Sequence, residues 1–491
     1  MFIKKDNSSL LMNLKKTQKG HLIAKPCRTF VLPAIVFLIL LLPATDILAQ
    51  RITYESLRAR DRQPTVFFEQ LVVPDTTETG MKLVTAFRLE NNFLAFRRIR
   101  DEQSGEQVRR FFAEPTVQVN IRKRTPGTAT DEQQPAPITR TWSETVYAET
   151  YEQTKSGTSF LQNILEAHLE PGTYRIESTA RADSRTRRAL APGFRIPDTT
   201  DTETAFFYFI DQQSPPEPPF TAPLMNMGNN VAFGRDHQLL IWFPALHDEA
   251  AYSLEIHRVR ISRQDTTVQE QMMEHSLDPE KLLAGYVHDV FMSEDQPHLR
   301  LQPVDNNPGG MGAFYLLSVP NSTFENAHYR VRVLKAASGE EPKVIARRTY
   351  QSFWLDMPVS LLNLDVAVNM MRFIMDEDQH RAMRRGNREQ RERSFREFWA
   401  DRDPTPDKEY NELMVEYFRR IDYAFDNFTS PQNPGYESDQ GKVYIRHGAP
   451  DRRERTFPPN QPAREIWHYG DRRFVFEATT GFGDYRLIDR R

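Results

Sequence analysis

Cysteine is almost absent from the sequence, because Cys27 is the only one in 491 residues. It precedes the apolar run that begins at Phe30, whereas a lipid-modified cysteine would follow such a run, so we expect no lipid anchor. A mature chain that begins after Ala49 holds no cysteine at all. Disulfides, thiolate metal sites and cysteine nucleophiles are therefore excluded from it.

The sequence also lacks a hydrophobic run long enough to span a membrane comfortably. The apolar run 30–42 contains Pro33 and is followed by Pro43, and it falls short of the roughly 20 apolar residues that a transmembrane helix needs. Basic residues precede the run and Ala49 follows it, which is the pattern of a secretory signal. We predict a signal peptide at residues 1–49 and an exported protein in the periplasm, cell envelope or extracellular space. The alternative is an uncleaved inner-membrane anchor at residues 30–49.

The sequence has no excess of positive charge. It also lacks the common phosphate-binding and nucleophile motifs. The chain has a net charge of −3, which becomes −8 when residues 1–49 are removed, so the basic footprint of a nucleic-acid-binding protein is missing. Neither a Gly-rich phosphate loop nor a Gly-x-Ser-x-Gly turn occurs after residue 49. We expect no cofactor, no bound metal and no nucleic-acid partner.

Short stretches rich in β-branched and aromatic residues alternate with polar turns from residue 50 to residue 210. Regular spacing of short strands is typical of a sandwich. In the clearest hairpin, Pro171 and Gly172 form the turn, and Tyr174 and Ile176 lie on one face of the next strand. We predict an Ig-like β-sandwich at residues 50–210. Its predicted strands are 66–73, 81–89, 116–121, 142–147, 173–180 and 205–210.

Residues 211–224 contain five prolines, which predicts a semi-rigid extended linker. Beyond it the strand pattern resumes, and we predict a second Ig-like β-sandwich at residues 225–356, in tandem with the first. The stretch 264–312 is polar and has one helix-like patch near Pro279, so we expect it to leave the sandwich as a long excursion. The predicted strands of this part are 238–243, 252–261, 313–319, 329–334 and 344–353.

The period of the apolar residues changes from two to 3.6 near Met357, which indicates helices. The strongest stripe runs over residues 410–428, and we expect residues 405–407 to begin its helix, since they combine a cap, a proline and an acid. Two further apolar faces lie at 361–375 and 395–399. Residues 464–469 and 473–476 are predicted strands. We therefore predict a C-terminal α+β domain at residues 357–491.

The stretch 435–451 is predicted to be the centre of this domain. Residues 439–441 are predicted to form a turn, residues 443–445 a short half-buried strand, and residues 448–451 a second turn. We expect Tyr436 to be a buried aromatic plug.

The sequence also predicts which residues surround Tyr436 and Asp439. We expect Tyr436 to pack on the stripe that Tyr417, Ile421 and Phe425 form, and Asp439 to accept hydrogen bonds from backbone N–H groups of the turn.

Several motifs follow one another in this part of the chain. They are residues 398–406 (FWADRDPTP), 411–412 (NE), 417–421 (YFRRI), 435–439 (GYESD), 441–445 (GKVYI) and 448–451 (GAPD). In this order they resemble the GWxTD domain of bacterial envelope proteins. Tyr436, Ser438 and Gln440 stand where the family has tryptophan, threonine and arginine. The resemblance implies an α+β fold and an envelope location but no chemistry, because the family has no established biochemical activity.

The residues of these motifs are the candidate site, with a structural and a binding role both open. They are Gly435, Tyr436, Ser438, Asp439, Gly441, Gly448, Pro450, Asp451, Trp399, Arg402, Asp403 and Pro404.

Two groups of polar residues are candidates for chemistry. His447, Asp451, Glu465 and His468 have side chains suited to a metal or to acid–base catalysis, but their spacing matches no metal motif, and turn hydrogen bonds are the favoured alternative.

Asp401 and Asp403 suit a catalytic carboxylate pair. The favoured alternative is that they cap the following helix and that Arg402 pairs with them.

Two surface features are candidates for binding. An arginine-rich run suits an anionic surface, but glutamates interleave with it at helical spacing, and we favour a solvated face with internal ion pairs. Exposed edges of the two sandwiches are candidates to accept a partner strand. The arginines are Arg381, Arg384, Arg385, Arg388, Arg391, Arg393 and Arg396.

Our leading hypothesis is a non-catalytic, exported protein that binds or scaffolds a partner through its C-terminal domain. The expected partner is another envelope protein or a cell-surface polymer, with membrane contact only through an uncleaved N-terminal segment. The alternative is a hydrolase or polysaccharide-modifying enzyme with a site near Asp439, His447 and Asp451. In an enzyme these side chains should converge in one pocket, whereas in a scaffold they should be used in turns.

Overall fold

The computed structural model describes most of the chain after residue 51. The described ranges are 52–60, 64–75, 80–99, 110–124, 136–247, 249–262, 265–304, 312–406, 410–457, 459, 461–479 and 484–490. The predicted signal peptide at residues 1–49, the predicted helix start at Asp407 and the turn residues 306–310 lie outside them. No helix among the described residues has the length and hydrophobicity required to cross a lipid bilayer.

The first sandwich is built from two antiparallel sheets. Its core contains Phe87, Leu89, Val117 and Ala180, all nearly inaccessible to solvent. One sheet has the order β1-β2-β8 and the other β10-β9-β5-β6. The strands are β1 (Val66–Pro74), β2 (Met81–Glu90), β5 (Thr116–Lys123), β6 (Ile138–Ser143), β8 (Phe160–Leu169), β9 (Gly172–Ala182) and β10 (Arg185–Ile196).

A small sheet and a short helix flank this sandwich. The sheet has the order β3-β4-β7, and the helix begins with a capping box in which Thr150 and Gln153 satisfy each other's backbone N–H groups. The elements are β3 (Arg97–Arg98), β4 (Phe111–Ala113), β7 (Val146–Ala148) and α2 (Tyr151–Lys155).

The second sandwich packs a four-stranded sheet, β11-β14-β20-β17, against a five-stranded sheet, β13-β22-β21-β15-β16. Leu239 and Ile241 of the first sheet meet Val331 and Val333 of the second in one core. The strands are β11 (Phe206–Ile210), β13 (Val231–Ala232), β14 (His237–Phe243), β15 (Ala251–Ile261), β16 (Thr266–Ser276), β17 (Leu283–Ala284), β20 (Ala313–Val319), β21 (His328–Ala336) and β22 (Lys343–Phe353). The mainly β class with Ig-like sandwiches, followed by an α+β region, is thus confirmed.

The prediction of an extended linker at residues 211–224 was wrong for residues 220–223. Phe220–Pro223 forms strand β12, which pairs with β19 (Gln296–Pro303), and β19 pairs with β18 (Tyr286–Ser293). Phe220, Ala222 and Leu224 are buried, and burial of their apolar side chains stabilises this segment as a strand.

One hydrophobic core joins the two predicted sandwiches. It contains Leu83 and Ile176 from the first, Trp242 from the second, and Leu299 from the sheet of β12, β19 and β18. Strand β14 is therefore buried on both faces. Strand β11, which was predicted as the last strand of the first sandwich, hydrogen-bonds to β14 of the second.

The predicted excursion at residues 264–312 was also wrong. Its described part contains β16, β17, β18 and β19, and the helix-like patch is only a 3₁₀ turn, Pro279–Lys281. In β16 nearly every side chain is exposed or half-buried, so the apolar alternation that marks a strand is missing from the sequence.

The C-terminal region is helical and ends in an antiparallel sheet of order β23-β24-β25-β26. Its core includes Trp399, Phe418, Ile421 and Trp467. The α-helices are α3 (Leu364–Met370), α4 (Glu377–Met383), α5 (Arg388–Ala400), α6 (Glu412–Phe428) and α7 (Asp439–His447). The 3₁₀ turns of this and the preceding part are Asn321–Thr323, Val359–Leu362, Met371–Phe373 and Gly435–Glu437. The strands are β23 (Arg452–Thr456), β24 (Arg464–Tyr469), β25 (Arg472–Ala478) and β26 (Tyr485–Arg490).

The turn and strand predicted at residues 439–445 were wrong, because this stretch is helix α7. Ser438 is its N-cap and accepts a hydrogen bond from the Gly441 N–H at 2.9 Å. Gly448, with a φ of +81°, ends the helix. Tyr444, on this helix, stacks on Tyr423 of α6 with 4.2 Å between the ring centroids.

Helix α6 begins at Glu412, and its N-cap is Asn411 rather than residues 405–407. The predicted stripe is confirmed from Tyr417 to Phe428, whereas Leu413 is exposed. Tyr410 precedes the helix and stacks on Trp354.

A short N-terminal helix, α1 (Tyr54–Arg60), packs on this C-terminal region. Tyr54 is only 1% exposed and belongs to the same core as Phe418 and Trp467. The two ends of the described chain therefore meet.

Candidate functional site

Tyr436 is the buried plug that the sequence predicts. Its ring stacks on Phe425 of α6 with 6.2 Å between centroids, and it meets Tyr54 edge-on at 5.4 Å. Its hydroxyl donates a hydrogen bond to the carboxylate of Glu55. Burial raises the pKa of the phenol well above its ordinary value, so Tyr436 stays neutral. It connects α6 to α1.

A second set of contacts fixes α1 to the same region. The Tyr54 hydroxyl donates to Asp422 at 2.8 Å, and the other oxygen of Asp422 accepts the Val359 N–H at 3.0 Å. Arg58 forms an ion pair with Asp426 at 2.6 Å. Burial raises the pKa of Asp422 to about 6, a property of many catalytic acids, but both oxygens of this carboxyl are occupied by structural donors.

The two glycines of the motif allow backbones to approach closely. A Cβ on Gly435 would lie 1.9 Å from the Ala424 carbonyl oxygen, and a Cβ on Gly441 would lie 1.9 Å from the Gly435 oxygen. The motif therefore brings the start of α7 into close contact with the end of α6. The Ser438 hydroxyl also donates a hydrogen bond to the Gly435 carbonyl at 2.7 Å.

The two aspartates of the motif bind backbone N–H groups at different places. Asp439 accepts a hydrogen bond from Leu487 of β26 at 2.8 Å, so its predicted backbone donor lies in the sheet and not in its own turn. Asp451 accepts from Gly470 at 2.7 Å, in the turn between β24 and β25. Pro450, beside it, is half-buried.

The remaining members of the proposed acid–base group are held separately. His447 is exposed at one side and packs at a tilt against Tyr469 and Phe474. Partial desolvation, followed by the nearby arginines, lowers its pKa. Glu465 is buried and accepts hydrogen bonds from the Trp467 indole at 2.7 Å and from Arg455 at 3.1 Å.

His468 completes this proposed group. It lies 3.5 Å from Glu454, a carboxylate that the sequence does not single out. Within the described ranges, no three His, Cys, Asp or Glu side chains are grouped so that they could hold a metal ion.

The upstream motif is also used for packing. Trp399 is buried among Phe395, Tyr417 and Phe418, and its carbonyl accepts a hydrogen bond from Asn411 at 2.6 Å. Trp399 thereby positions the N-cap of α6.

The residues that follow Trp399 form a turn. The Arg402 guanidinium lies 3.9 Å from the Phe398 ring centroid, and Asp403 accepts from the Thr405 N–H at 2.9 Å. In the part of the chain that the structure describes, neither Asp401 nor Asp403 forms an ion pair with Arg402. The predicted capping of α6 by these carboxylates was therefore wrong. Pro404 is exposed.

Residues 359–486 match the family model described as the GWxTD domain. The chain contains a GWxTD domain. No curated protein matches the chain. Among solved structures, the collagen adhesin (CNA) from S. aureus is similar over 59% of this chain and 93% of that chain, with 10% identity and a TM-score of 0.14. A likeness at this level carries no argument about function.

The arginine-rich run lies in and between α4 and α5 of the GWxTD domain. Some of its arginines form ion pairs with acidic residues of the same helix, as predicted. Arg381 pairs with Glu377 and Asp378, and Arg396 pairs with Glu392. Arg391 pairs with Asp365 of α3 at 3.0 Å, a contact between helices that the helical spacing does not indicate.

The GWxTD domain also has an open cleft of about 350 Å³ between α3 and α5. Its apolar lining comes from residues that the sequence marks only as helix faces, and Leu362 in it is 44% exposed. Opposite charges surround this lining. The apolar residues are Leu361, Leu362, Leu364, Ala367 and Phe395, and the charged ones are Asp365, Arg388, Glu392 and Arg396.

Sequence reasoning did not find the role of α1. Tyr54 and Asp422 are 368 residues apart, and no local pattern reports a contact over that distance. Two edge strands of the sandwiches, β10 and β16, are poorly suited to accept a partner strand. β10 carries several exposed arginines and a bulge at Pro192, and β16 is charged and has two bulges, which are features that protect edges from pairing.

Proposed function

We propose that this protein is a non-catalytic binding or scaffolding protein of the bacterial cell envelope. The observation that carries the proposal is that Asp439 and Asp451 each bind a backbone N–H group of a different element, while His447 packs against aromatic rings. An enzyme would need such groups to share one site. The motif residues instead support the shape of the GWxTD domain.

We assign partner binding to the cleft between α3 and α5. Exposed leucine on a rigid helical surface is costly in water and gains free energy when a partner covers it. Opposite charges beside an apolar lining suit an amphipathic helix of another envelope protein, which would place its apolar face on Leu362 and its charges beside Arg388 and Glu392.

The test uses a charge placed inside the cleft and a matched charge outside it. Leu362→Asp should abolish capture of a specific envelope protein by the mature chain, while Leu413→Asp, an equally exposed leucine on α6, should leave capture unchanged. Both variants should keep the wild-type melting temperature. Identical captured proteins for wild type and both variants would rule out this cleft as the partner site.

The enzyme alternative makes a different prediction. A hydrolase would lose turnover of an envelope polymer on His447→Ala, with its partner capture and melting temperature unchanged. Our proposal expects no polymer turnover by the wild-type chain.

Export is part of the same proposal and rests on the basic leader, the apolar run 30–42 and Ala49. The mature protein should begin at Gln50 and be recovered from the envelope or periplasmic fraction. Intact-mass measurement of the native protein checks this, and a mass that includes residues 1–49 would contradict it.

A further inference from the structure

An aromatic-lined cleft of about 860 Å³ lies at one end of the first sandwich. It is formed by the segment around β7, the start of β8, and the tip of the β18–β19 hairpin. Tyr147 and Phe160 line it and are 43% and 41% exposed. The Arg88 guanidinium lies 3.4 Å from the Phe160 ring centroid. Solvent-exposed rings concentrated in one place are characteristic of interaction surfaces.

The charged residues among those that line the cleft are all acidic. Glu144, Glu149, Glu294 and Asp295 line it, and no lysine or arginine does. None of these four carboxylates forms an ion pair with another residue in the described ranges. We call this surface, with its aromatic residues, the acidic cleft.

The hairpin tip has a defined backbone at its two acidic residues. Ser293 pairs with Gln296, so Glu294 and Asp295 form a two-residue loop, and their φ angles of +50° and +61° are those of a tight hairpin turn. A partner therefore meets a preformed surface, which lowers the entropy lost on binding.

A complementary surface lies on the GWxTD domain where α4 ends and α5 begins. Arg384, Arg385, Arg388 and Arg393 are exposed there, and the described residues show no ion pair for any of the four. We call them the arginine corner. The corner is also rigid, because Asn387 and Gln390 form a capping box and Arg391 donates to the Gly386 carbonyl at 2.7 Å.

We propose that the acidic cleft of one copy receives the arginine corner of a second copy, so that the protein associates head to tail. The two surfaces are opposite in charge, and guanidinium groups pair with carboxylates. After one contact the pair keeps one free surface of each kind, because one copy still has its arginine corner and the other its acidic cleft. The contact can therefore repeat along a chain of copies. The corner shares only Arg388 with the cleft between α3 and α5, and neither double variant used in the test below changes that residue.

Charge exchange between the two surfaces tests the proposal with the mature chain alone. Wild type should associate in sedimentation velocity at up to about 100 μM protein and about 50 mM NaCl, and should dissociate at about 500 mM NaCl. The double variants E294K/D295K and R384E/R385E should each weaken association at least about tenfold. An equimolar mixture of the two should associate again, because each variant retains the surface that the other has lost.

Matched controls separate this contact from general charge effects. E340K/E341K and R187E/R188E make the same charge changes at exposed sites elsewhere and should associate like wild type. A wild-type chain that stays monomeric at low salt would overturn the proposal. So would a mixture of the two double variants that stays monomeric, or controls that weaken association as strongly as the variants.

Discussion

His288 lies where three parts of the β region meet. Its Nε2 is 2.8 Å from the Tyr208 hydroxyl, which itself donates to the Val72 carbonyl, and its ring packs against Trp242 and Phe314. Burial lowers the pKa of His288 to about 3. The imidazole is therefore neutral in the folded protein at any pH near neutrality, and it acts as a polar connection inside an apolar core.

The buried His288 should make the β region sensitive to acid. In the unfolded chain its pKa returns to about 6.5, so below that pH the unfolded state binds a proton that the folded state does not. The contribution of the neutral His288 to the free energy of unfolding is fully present above about pH 6.5. It falls as the pH drops toward about 3. Between pH 7 and pH 5 the loss should be about 2 kcal/mol.

Comparison with His288→Gln isolates this effect, because glutamine can hydrogen-bond to Tyr208 but does not titrate. Urea unfolding at pH 7 and pH 5 should show wild type losing about 2 kcal/mol more than the variant. Equal losses for both proteins would show that His288 is not the buried neutral group described above.

At the scale of elements, helix α7 shows how a close contact decides a local structure. Glycine inside a helix is normally unfavourable, and replacing it with alanine stabilises an exposed helix by about 1 kcal/mol. In α7 the reverse should hold, because a Cβ on Gly441 would lie 1.9 Å from the Gly435 carbonyl oxygen.

Gly441→Ala should therefore lower the free energy of unfolding of the GWxTD domain by at least about 2 kcal/mol, since the backbone of one of the two segments must move. Gly193→Ala is the control, because its Cβ would approach the Arg124 guanidinium no closer than 3.9 Å. Chemical denaturation measures both, and a Gly441→Ala protein as stable as wild type would contradict this account of the motif.

The same helix marks the limit of what the sequence predicts. Strands with alternating apolar residues, such as β5, β9 and β21, and the stripe on α6 are predicted, because their burial follows directly from their pattern. Residues 439–441 have a composition typical of turns, and their helix depends on Ser438 and on packing against Gly435. Burial of Tyr436 could be predicted from the motif, whereas its hydrogen bond to Glu55 could not.

At the scale of the whole molecule, the start of the described chain completes its C-terminal domain. Helix α1 contributes Tyr54 to the core of the GWxTD domain. It is also joined to the domain by hydrogen bonds to Asp422 and from Tyr436 and by an ion pair with Asp426. The sequence pattern predicts a domain formed by the fragment 357–491, which does not include α1. The structure indicates that this fragment would leave the surface that Tyr54 covers exposed.

Tyr54→Ala in the mature chain should lower the free energy of unfolding of the GWxTD domain by about 3–5 kcal/mol, as expected for removal of a buried aromatic ring. A fragment of residues 357–491 should likewise melt at a lower temperature than the same fragment joined to residues 52–60 through a flexible linker. Equal melting temperatures for the two fragments would show that α1 is not part of the domain.

We propose that the residues of the GWxTD motif stabilise the domain and do not act on a substrate. Tyr436→Phe should cost about 1 kcal/mol through loss of the hydrogen bond to Glu55, and Tyr436→Trp, the aromatic that the family has at this position, should be tolerated.

The most direct test is the free energy of unfolding of Tyr436→Ala, measured by urea denaturation of the mature chain. A loss of about 3–5 kcal/mol is the predicted result, because the ring packs between Tyr54, Phe373 and Phe425. An unchanged free energy of unfolding, together with loss of partner capture, would contradict the claim and identify the motif as a functional surface.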